Sequence, residues 1–115
     1  MRVFVYGSLM SGGEYHEPLA RSARLGGFTT PAVWHLWDLD GYPAMTPGGA
    51  RTVEGEVYRI DAATLAELDR IEEVPTLYQR ATLDTPWGEA FVYVVGERPA
   101  DARALPPGRW MSRRR

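Results

Sequence analysis

Residues 52–73 read TVEGEVYRIDAATLAELDRIEE, a strand pattern that passes directly into a helix pattern. The first part, residues 52–60, alternates β-branched and aromatic residues with polar ones and favours a β-strand. Asp61 follows as an N-cap, and a helix is predicted over residues 62–73. The apolar side chains of this helix recur on one face, at Leu65, Leu68 and Ile71.

Short strands are predicted on both sides of this unit. Residues 2–7 are rich in valine and aromatic residues and indicate a buried strand, and residues 24–47 provide one or two more strands. A short helix is predicted over residues 14–23, and residues 78–85 and 89–96 indicate a hairpin. The pattern is typical of an α+β domain dominated by antiparallel strands.

The composition describes a globular chain and excludes several kinds of chemistry. Its 115 residues are expected to fold as one domain, residues 1–115, in which residues 111–115 form a flexible tail. The chain contains no cysteine, and all 13 side chains of the Lys+Arg class are arginine. Disulfides, thiol nucleophiles, thiolate metal sites and Schiff-base lysines are therefore excluded.

The charge and hydropathy of the chain argue against nucleic acid and membranes as partners. The formal net charge of −2 gives no overall attraction to nucleic acid, and no apolar run is long enough for a membrane span. His16 and His35 lack the spacing of metal ligands, so no metal site is expected. We expect a cytoplasmic protein that is a monomer or a weak homodimer.

The first predicted strand ends in Gly7-Ser8, which provides a candidate anion site. Glycine tolerates backbone dihedral angles that other residues avoid, so a sharp turn at Gly7 would expose successive N–H groups. The hydroxyl of Ser8 adds a further polar group. A plain strand end explains the same residues, and spacing alone leaves both interpretations open.

Glu72 is the candidate proton-transfer residue. It lies four residues after Leu68, close to the apolar face of the predicted helix, whereas Asp69 and Glu73 are expected to face solvent, and Pro75 ends the helix. A carboxyl group at the margin of a core has its pKa raised by desolvation and can act as a general base near neutral pH. Periodicity alone leaves open that Glu72 is a solvated charge at a helix end.

Five segments, taken in order, resemble the gamma-glutamylcyclotransferase-like family, in the branch that includes gamma-glutamylamine cyclotransferases and the AIG2-like and YtfP-like proteins. The resemblance implies an α+β fold in which a small mixed, mainly antiparallel β-barrel is flanked by short helices. The segments are YGSL at 6–9, GYPAM at 41–45, VEGEVYRI at 53–60, LDRIEEVPTLYQR at 68–80 and GRW at 108–110.

The same resemblance assigns roles to individual residues. Glu72 matches the family's general acid/base glutamate, and the loop at the end of the first strand matches the one that receives the glutamyl group through backbone N–H groups. One departure is Glu73, because the family often has glycine at this position. The substrate-binding residues implied by the resemblance are Tyr6, Gly7, Ser8, Leu9 and Tyr78.

The implied activity is a cofactor-independent acyl transfer, also classed as a lyase reaction, on a small γ-glutamyl molecule. The substrate's α-amine attacks its own γ-carbonyl, which forms 5-oxoproline and releases the amine. Neither a metal nor a cofactor takes part. Two alternatives stay open: a non-catalytic binding protein of the same fold, and a tailoring enzyme that removes a γ-glutamyl protecting group in a biosynthetic pathway.

Overall fold

The computed structural model describes residues 1–7, 10, 16–38 and 43–95, together with the backbone of residues 103–104 and 108–109. These residues contain nine strands, one α-helix and one 3-10 turn. They are β1 (Arg2–Val5), the 3-10 turn (Glu17–Leu19), β2 (Ala23–Thr29), β3 (Trp34–Asp38), β4 (Pro43–Pro47), β5 (Val53–Arg59), α1 (Ala62–Ile71), β6 (Gln79–Thr85), β7 (Gly88–Val94), β8 (Arg103–Ala104) and β9 (Gly108–Arg109).

The nine described strands form one mixed sheet, in the order β2-β5-β1-β7-β4-β3-β8, with β6 paired to β7 and β9 paired to β5. Antiparallel pairs predominate, although β7 runs parallel to both β1 and β4. The predicted mixed, mainly antiparallel α+β fold is confirmed. The sheet of the described residues remains open and does not close into the barrel that was expected.

Strand β7 brings the ends of β1 and β4 together. It pairs with β1 at Phe91 and Val92, and with β4 at Val94, while β6 runs along its other edge. The backbone N–H of Val95 also donates to the carbonyl oxygen of Met45 at 3.0 Å. The candidate substrate loop therefore begins beside the start of β4.

Alternating side chains give the sheet an apolar surface on each face. Val3 and Val5 of β1 belong to the cluster that packs against α1, whereas Phe4 between them belongs to a second cluster on the opposite face. Helix α1 contributes the fully buried Leu68 to the first cluster. Leu65 and Ile71 are partly buried against the same cluster, as the predicted apolar face requires.

Helix α1 begins as predicted and ends earlier. The side chain of Asp61 accepts a hydrogen bond from the backbone N–H of Thr64 at 2.8 Å, which confirms the N-cap. The helix ends at Ile71 rather than at residue 73, since the next residue is its C-cap. As a result Glu72 lies in the cap of the helix and not within its last turn.

The helix predicted over residues 14–23 is wrong within the described residues. Only Glu17–Leu19 is helical, as a single 3-10 turn with a proline in its first positions, and Ala23 already begins β2. Residues 24–47 contain three strands or parts of strands, more than predicted. The first of them, β2, contains a β-bulge at Gly26, where the ring of Trp87 lies against the backbone.

The hairpin predicted near the C-terminal end is confirmed, since β6 and β7 pair from Gln79–Val94 to Thr85–Gly88. The expected tail over residues 111–115 lies outside the described residues, and one domain over residues 1–115 stays a prediction. Among the described elements, no helix has the length and apolar character needed to cross a membrane.

Gly55 of β5 tests the packing of the central strands. A Cβ at this position would lie 2.3 Å from the carbonyl oxygen of Val5 and 2.7 Å from Cζ of Phe4. We expect Gly55→Ala to lower the free energy of unfolding by about 1–3 kcal/mol, because a backbone atom cannot yield as a flexible side chain does. The measurement is urea unfolding.

The matched control is Gly27→Ala on the neighbouring strand β2, where the nearest atom would lie 3.8 Å from the new Cβ, at ordinary contact distance. This variant should unfold close to the parent protein. Equal stabilities of the two variants would show that β1 and β5 do not approach as closely as described.

Candidate active site

The end of helix α1 places Glu72 in a tightly bonded turn. Glu72 is the C-cap residue, and Glu73 after it has a positive φ of 53°. The N–H of Val74 donates to the carbonyl oxygen of Asp69 at 3.0 Å, and the N–H of Glu73 donates to that of Arg70 at 3.2 Å. These two bonds form a Schellman motif, which holds the backbone of Glu72 at a set place relative to the helix.

The conformation of Glu73 explains why glycine is common at this position in the family pattern. The position after the C-cap in a Schellman motif is left-handed, and glycine occupies it without the steric cost of a Cβ. Here a glutamate takes the same conformation and is exposed, as its predicted solvent-facing position requires. It adds a second carboxylate directly beside Glu72.

The segment after the cap returns the chain to the sheet. The N–H of Leu77 donates to the carbonyl oxygen of Glu73 at 2.8 Å, and the peptide bond between Val74 and Pro75 is cis. Tyr78 is then buried, and its hydroxyl donates to the carbonyl oxygen of Pro43 at 2.7 Å. Tyr78 thereby joins the end of this segment to the first residue of β4.

Tyr6 joins three strands at the end of β1. Its hydroxyl donates to the carbonyl oxygen of Tyr93 in β7 at 2.6 Å and accepts from the N–H of Met45 in β4 at 3.1 Å. Both bonds are buried. The residue predicted to open the substrate loop is therefore held from two sides by the sheet.

Gly7 is required for close approach, and the predicted reason for it is wrong. Its φ lies outside the left-handed region, but a Cβ would lie 2.6 Å from Cγ of Pro43. The N–H of Met10 donates to the carbonyl oxygen of Gly7 at 2.9 Å. Ser8 and Leu9, the other loop residues implied by the resemblance, lie outside the described residues.

Glu72 is partly buried, and this burial raises its pKa from the ordinary value of 4.5 to about 7. The negative charge of Glu73 is the second cause of the rise. The direction agrees with the expectation for a carboxyl group at the margin of the apolar face. Such a group exchanges its proton readily near neutral pH.

Three tyrosine hydroxyls, which we call the tyrosine cluster, lie in the electrostatic field of Glu72. Burial is the main cause that raises the pKa of each phenol, and the charge of Glu72 contributes to each rise. The three hydroxyls therefore lie within electrostatic range of the Glu72 carboxyl group. The members of the tyrosine cluster are Tyr6, Tyr78 and Tyr93.

Each hydroxyl of the tyrosine cluster already donates its proton to another oxygen. The acceptors are the carbonyl oxygens of Tyr93 and Pro43 for Tyr6 and Tyr78, and the carboxylate of Asp69 for Tyr93. A hydroxyl has one proton to donate and can also accept. The cluster therefore does not use these protons to stabilise the Glu72 carboxylate, which is consistent with its raised pKa.

Asp69 and Tyr93 were missed as parts of this site. Asp69 was expected to face solvent, but its side chain is only 24% exposed and accepts from the hydroxyl of Tyr93 at 2.7 Å. Asp69 lies three residues before Glu72, which is one helical turn. This spacing was the available signal, although nothing in the local sequence indicated that Tyr93 would lie opposite.

The described residues contain no group of three or more His, Asp or Glu side chains that is arranged to hold a metal ion. The His16 ring lies 5.7 Å from that of Tyr58, and the His35 ring lies 5.4 Å from that of Trp37. A cavity of about 780 Å³ lies between the 3-10 turn and the start of α1, where Arg21 is among the lining residues. It includes none of the candidate site residues.

Comparison with known proteins finds a matching family model and related chains. A family model described as gamma-glutamyl cyclotransferase, AIG2-like, matches residues 3–112, which confirms the resemblance carried by the five segments. The chain is 41% identical over 114 residues to the gamma-glutamylcyclotransferase family protein YtfP of Escherichia coli K12, a match that covers 98% of each chain. It is 38% identical over 93 residues to human gamma-glutamylaminecyclotransferase, which covers 70% of this chain and 59% of the human protein.

Solved structures support the fold. The solution structure of Escherichia coli YtfP is similar with a TM-score of 0.75 at 42% identity and covers 100% of both chains. The crystal structure of a protein from Pyrococcus horikoshii is similar with a TM-score of 0.78 at 27% identity, covering 91% of this chain and 85% of the other.

The raised pKa of Glu72 predicts a cost in stability. Between pH 4.5 and about 7 the folded protein holds a proton that the unfolded chain has lost, so the free energy of unfolding falls as the pH rises. Glu72→Gln removes this cost, by up to about 3 kcal/mol. Urea unfolding should find the variant close to the parent at low pH and more stable than the parent at pH near 8. An equal difference at both pH values would contradict the assignment.

Substitution of Glu73 is expected to have two separable effects, one on the pKa of Glu72 and one on the stability of the fold. Glu73→Gly removes both the charge beside Glu72 and the Cβ at a left-handed position, so it should lower the pKa of Glu72 and stabilise the fold by about 1 kcal/mol. Glu73→Ala removes the charge but keeps the Cβ, so it should lower the pKa without that gain. NMR titration of the Glu72 carboxyl measures its pKa, and thermal unfolding measures the stability of each variant. An unchanged pKa in both variants would show that Glu73 does not act on Glu72.

Proposed function

Because this chain belongs to the gamma-glutamylcyclotransferase family, we propose that it releases 5-oxoproline from a small γ-glutamyl substrate by intramolecular aminolysis. Glu72 is the proposed general acid/base. The observation that carries the proposal is the Glu72 carboxyl group itself, whose pKa is raised to about 7 beside tyrosine hydroxyls that donate elsewhere. It has the proton affinity that this reaction needs near neutral pH.

The proposed reaction forms one carbon–nitrogen bond and breaks another. The carboxylate of Glu72 takes a proton from the substrate's α-ammonium group, and the free amine attacks the γ-carbonyl carbon. The tetrahedral intermediate then collapses, and the bond between this carbon and the amine leaving group breaks. Glu72 returns this proton to the leaving nitrogen. The attacking nitrogen loses its second proton as the lactam forms, and this proton goes to the released amine, which departs as an ammonium ion. The enzyme therefore ends in its starting state. No electron is exchanged with a cofactor in this sequence.

The raised pKa lowers the cost of the first proton transfer. An α-ammonium group has a pKa near 8, so a base with a pKa of about 7 takes its proton at a cost of about 1.4 kcal/mol. A carboxylate at its ordinary value would add about 3 kcal/mol to that cost. Burial of Glu72 thus supports proton transfer at the same time as it lowers stability.

The remaining residues are proposed to hold the substrate. The nucleophile is tethered to the carbonyl that it attacks, so binding has to fold the substrate into a reactive conformer. We propose that backbone N–H groups in the loop of Tyr6, Gly7, Ser8 and Leu9 receive the α-carboxylate, and that Tyr78 forms a wall of the site. The described part of this loop is anchored by Tyr6, which supports a preorganised site.

The leaving group is proposed to be an amine. This class is named for the human relative, a gamma-glutamylaminecyclotransferase, and it is the first to test. A substrate set of γ-glutamyl amines, γ-glutamyl dipeptides and γ-glutamyl-lysine, with 5-oxoproline measured by mass spectrometry, compares amine and peptide leaving groups directly.

Glu72→Gln should reduce the rate of 5-oxoproline release by about 10²–10⁴-fold while the substrate still binds. In the parent enzyme, kcat/KM should rise with pH through about 7, as Glu72 ionises. The matched control is Glu67→Gln, an exposed glutamate of the same helix that pairs with Arg70. This control should keep the parent rate.

Two outcomes would count against the proposal. Equal turnover by the parent and Glu72→Gln would remove Glu72 from the mechanism. Binding of γ-glutamyl compounds by the parent, without any 5-oxoproline from the whole set, would favour the non-catalytic binding protein.

A further inference from the structure

We infer that Asp69 is a positioning residue that, through Tyr93 and Arg80, determines where the carboxyl group of Glu72 lies. The inference rests on the proposed function, in which Glu72 transfers the proton. Asp69 itself does not touch the substrate in this arrangement. It acts by joining the last turn of α1 to the sheet.

The first step of the argument is the bonding of one carboxylate oxygen. Oδ1 of Asp69 accepts from the hydroxyl of Tyr93 at 2.7 Å and lies 3.3 Å from Nε of Arg80. Arg80 in β6 and Tyr93 in β7 are directly opposite in the strand register. A cross-strand pair on one face of the hairpin therefore holds a single atom of the helix.

The second step is the backbone of the same residue. The carbonyl oxygen of Asp69 accepts from the N–H of Val74 and so closes the cap that contains Glu72. Glu72 follows Asp69 by three residues and is the C-cap residue of the helix that this bond closes. The backbone of Asp69 thus closes the helix cap, and its side chain bonds the helix to the sheet.

The third step links this anchor to the tyrosine cluster. The carbonyl oxygen of Tyr93 accepts from the hydroxyl of Tyr6, while the hydroxyl of Tyr93 donates to Asp69. One residue of β7 is therefore bonded both to the start of the proposed substrate loop and to the helix that carries Glu72. This connection joins the helix that precedes Glu72 to Tyr6 at the end of β1.

The fourth step separates position from charge. The causes of the raised pKa of Glu72 are burial and the charge of Glu73, and the charge of Asp69 is not one of them. Arg80 lies beside Asp69 as a counter-charge, and its guanidinium also lies 5.1 Å from the ring centre of Phe91. Asp69 is therefore expected to act through its place in the structure and not through its field.

The test compares Asp69→Asn, Asp69→Ala and Glu67→Ala. The asparagine can keep an oxygen where Oδ1 lies, so it should accept from Tyr93 and preserve the position of Glu72. Asp69→Ala removes the side-chain contacts with Tyr93 and Arg80. Glu72 should then move toward water, and its pKa should fall from about 7 toward the ordinary value. Glu67→Ala removes an exposed ion pair of the same helix and should leave the pKa unchanged.

NMR titration of the Glu72 carboxyl reads the position of this group without any substrate. On an active substrate, Asp69→Ala should lower kcat at least tenfold with KM within about twofold of the parent, and the acidic limb of its pH profile should move to lower pH. Asp69→Asn should restore most of kcat. If Asp69→Ala does not fold, Tyr93→Phe removes one of the two bonds and should lower the pKa of Glu72 in the same direction.

The inference is overturned if Asp69→Ala, or Tyr93→Phe in its place, keeps the parent pKa of Glu72. It is also overturned if Asp69→Asn behaves like Asp69→Ala, because charge would then be the property that matters. If the parent protein shows no turnover, only the proposed function is refuted, because the NMR titration tests the role of Asp69 without any substrate.

Discussion

The left-handed turn that ends helix α1 is the constraint on which the rest of the site depends. Its two backbone bonds place Glu72 at the cap and Glu73 in a conformation that costs a residue with a Cβ about 1–2 kcal/mol. Glu72 is partly buried at this turn, and a second carboxylate follows directly after it. Both effects raise the proton affinity of Glu72. The helix terminus therefore combines a strained backbone at Glu73 with a raised pKa at Glu72.

The sheet supplies the other half of the site through its tyrosines. Tyr6, Tyr78 and Tyr93 reach oxygen atoms on β7, β4 and α1, so each phenol joins two parts of the chain that are distant in sequence. All three side chains are buried, and the charge of Glu72 contributes to the raised pKa of each phenol. A hydroxyl that is buried needs an acceptor, and here each acceptor belongs to a neighbouring element. The tyrosine cluster therefore anchors the segments of the sheet and helix that surround the candidate site.

Much of the fold follows from local sequence patterns. The capped helix after β5 and the β6–β7 hairpin were predicted because their periodicity and end signals agree, and both are present. Within the described residues, the helix predicted over residues 14–23 was wrong, and residues 24–47 contain three strands or parts of strands instead of one or two. In β2, the ring of Trp87 lies against Gly26 at a β-bulge. That contact spans some sixty positions of the chain, and no local window contains it.

Sequence alone determined the family and the strand and helix classes of the central unit. It also indicated Glu72 as a carboxyl group close to the apolar face of the helix, while leaving open whether it is solvated. These depend on residue type and on spacing within one element, which a single chain displays directly. Tertiary structure alone decided that Gly7 is needed because Pro43 packs against it, and that Asp69 faces Tyr93 instead of solvent. Both contacts arise between elements, and the strand order of the sheet brings them together. The physical reason is that periodicity specifies which face of an element is buried, whereas pairing of distant strands specifies what that face meets.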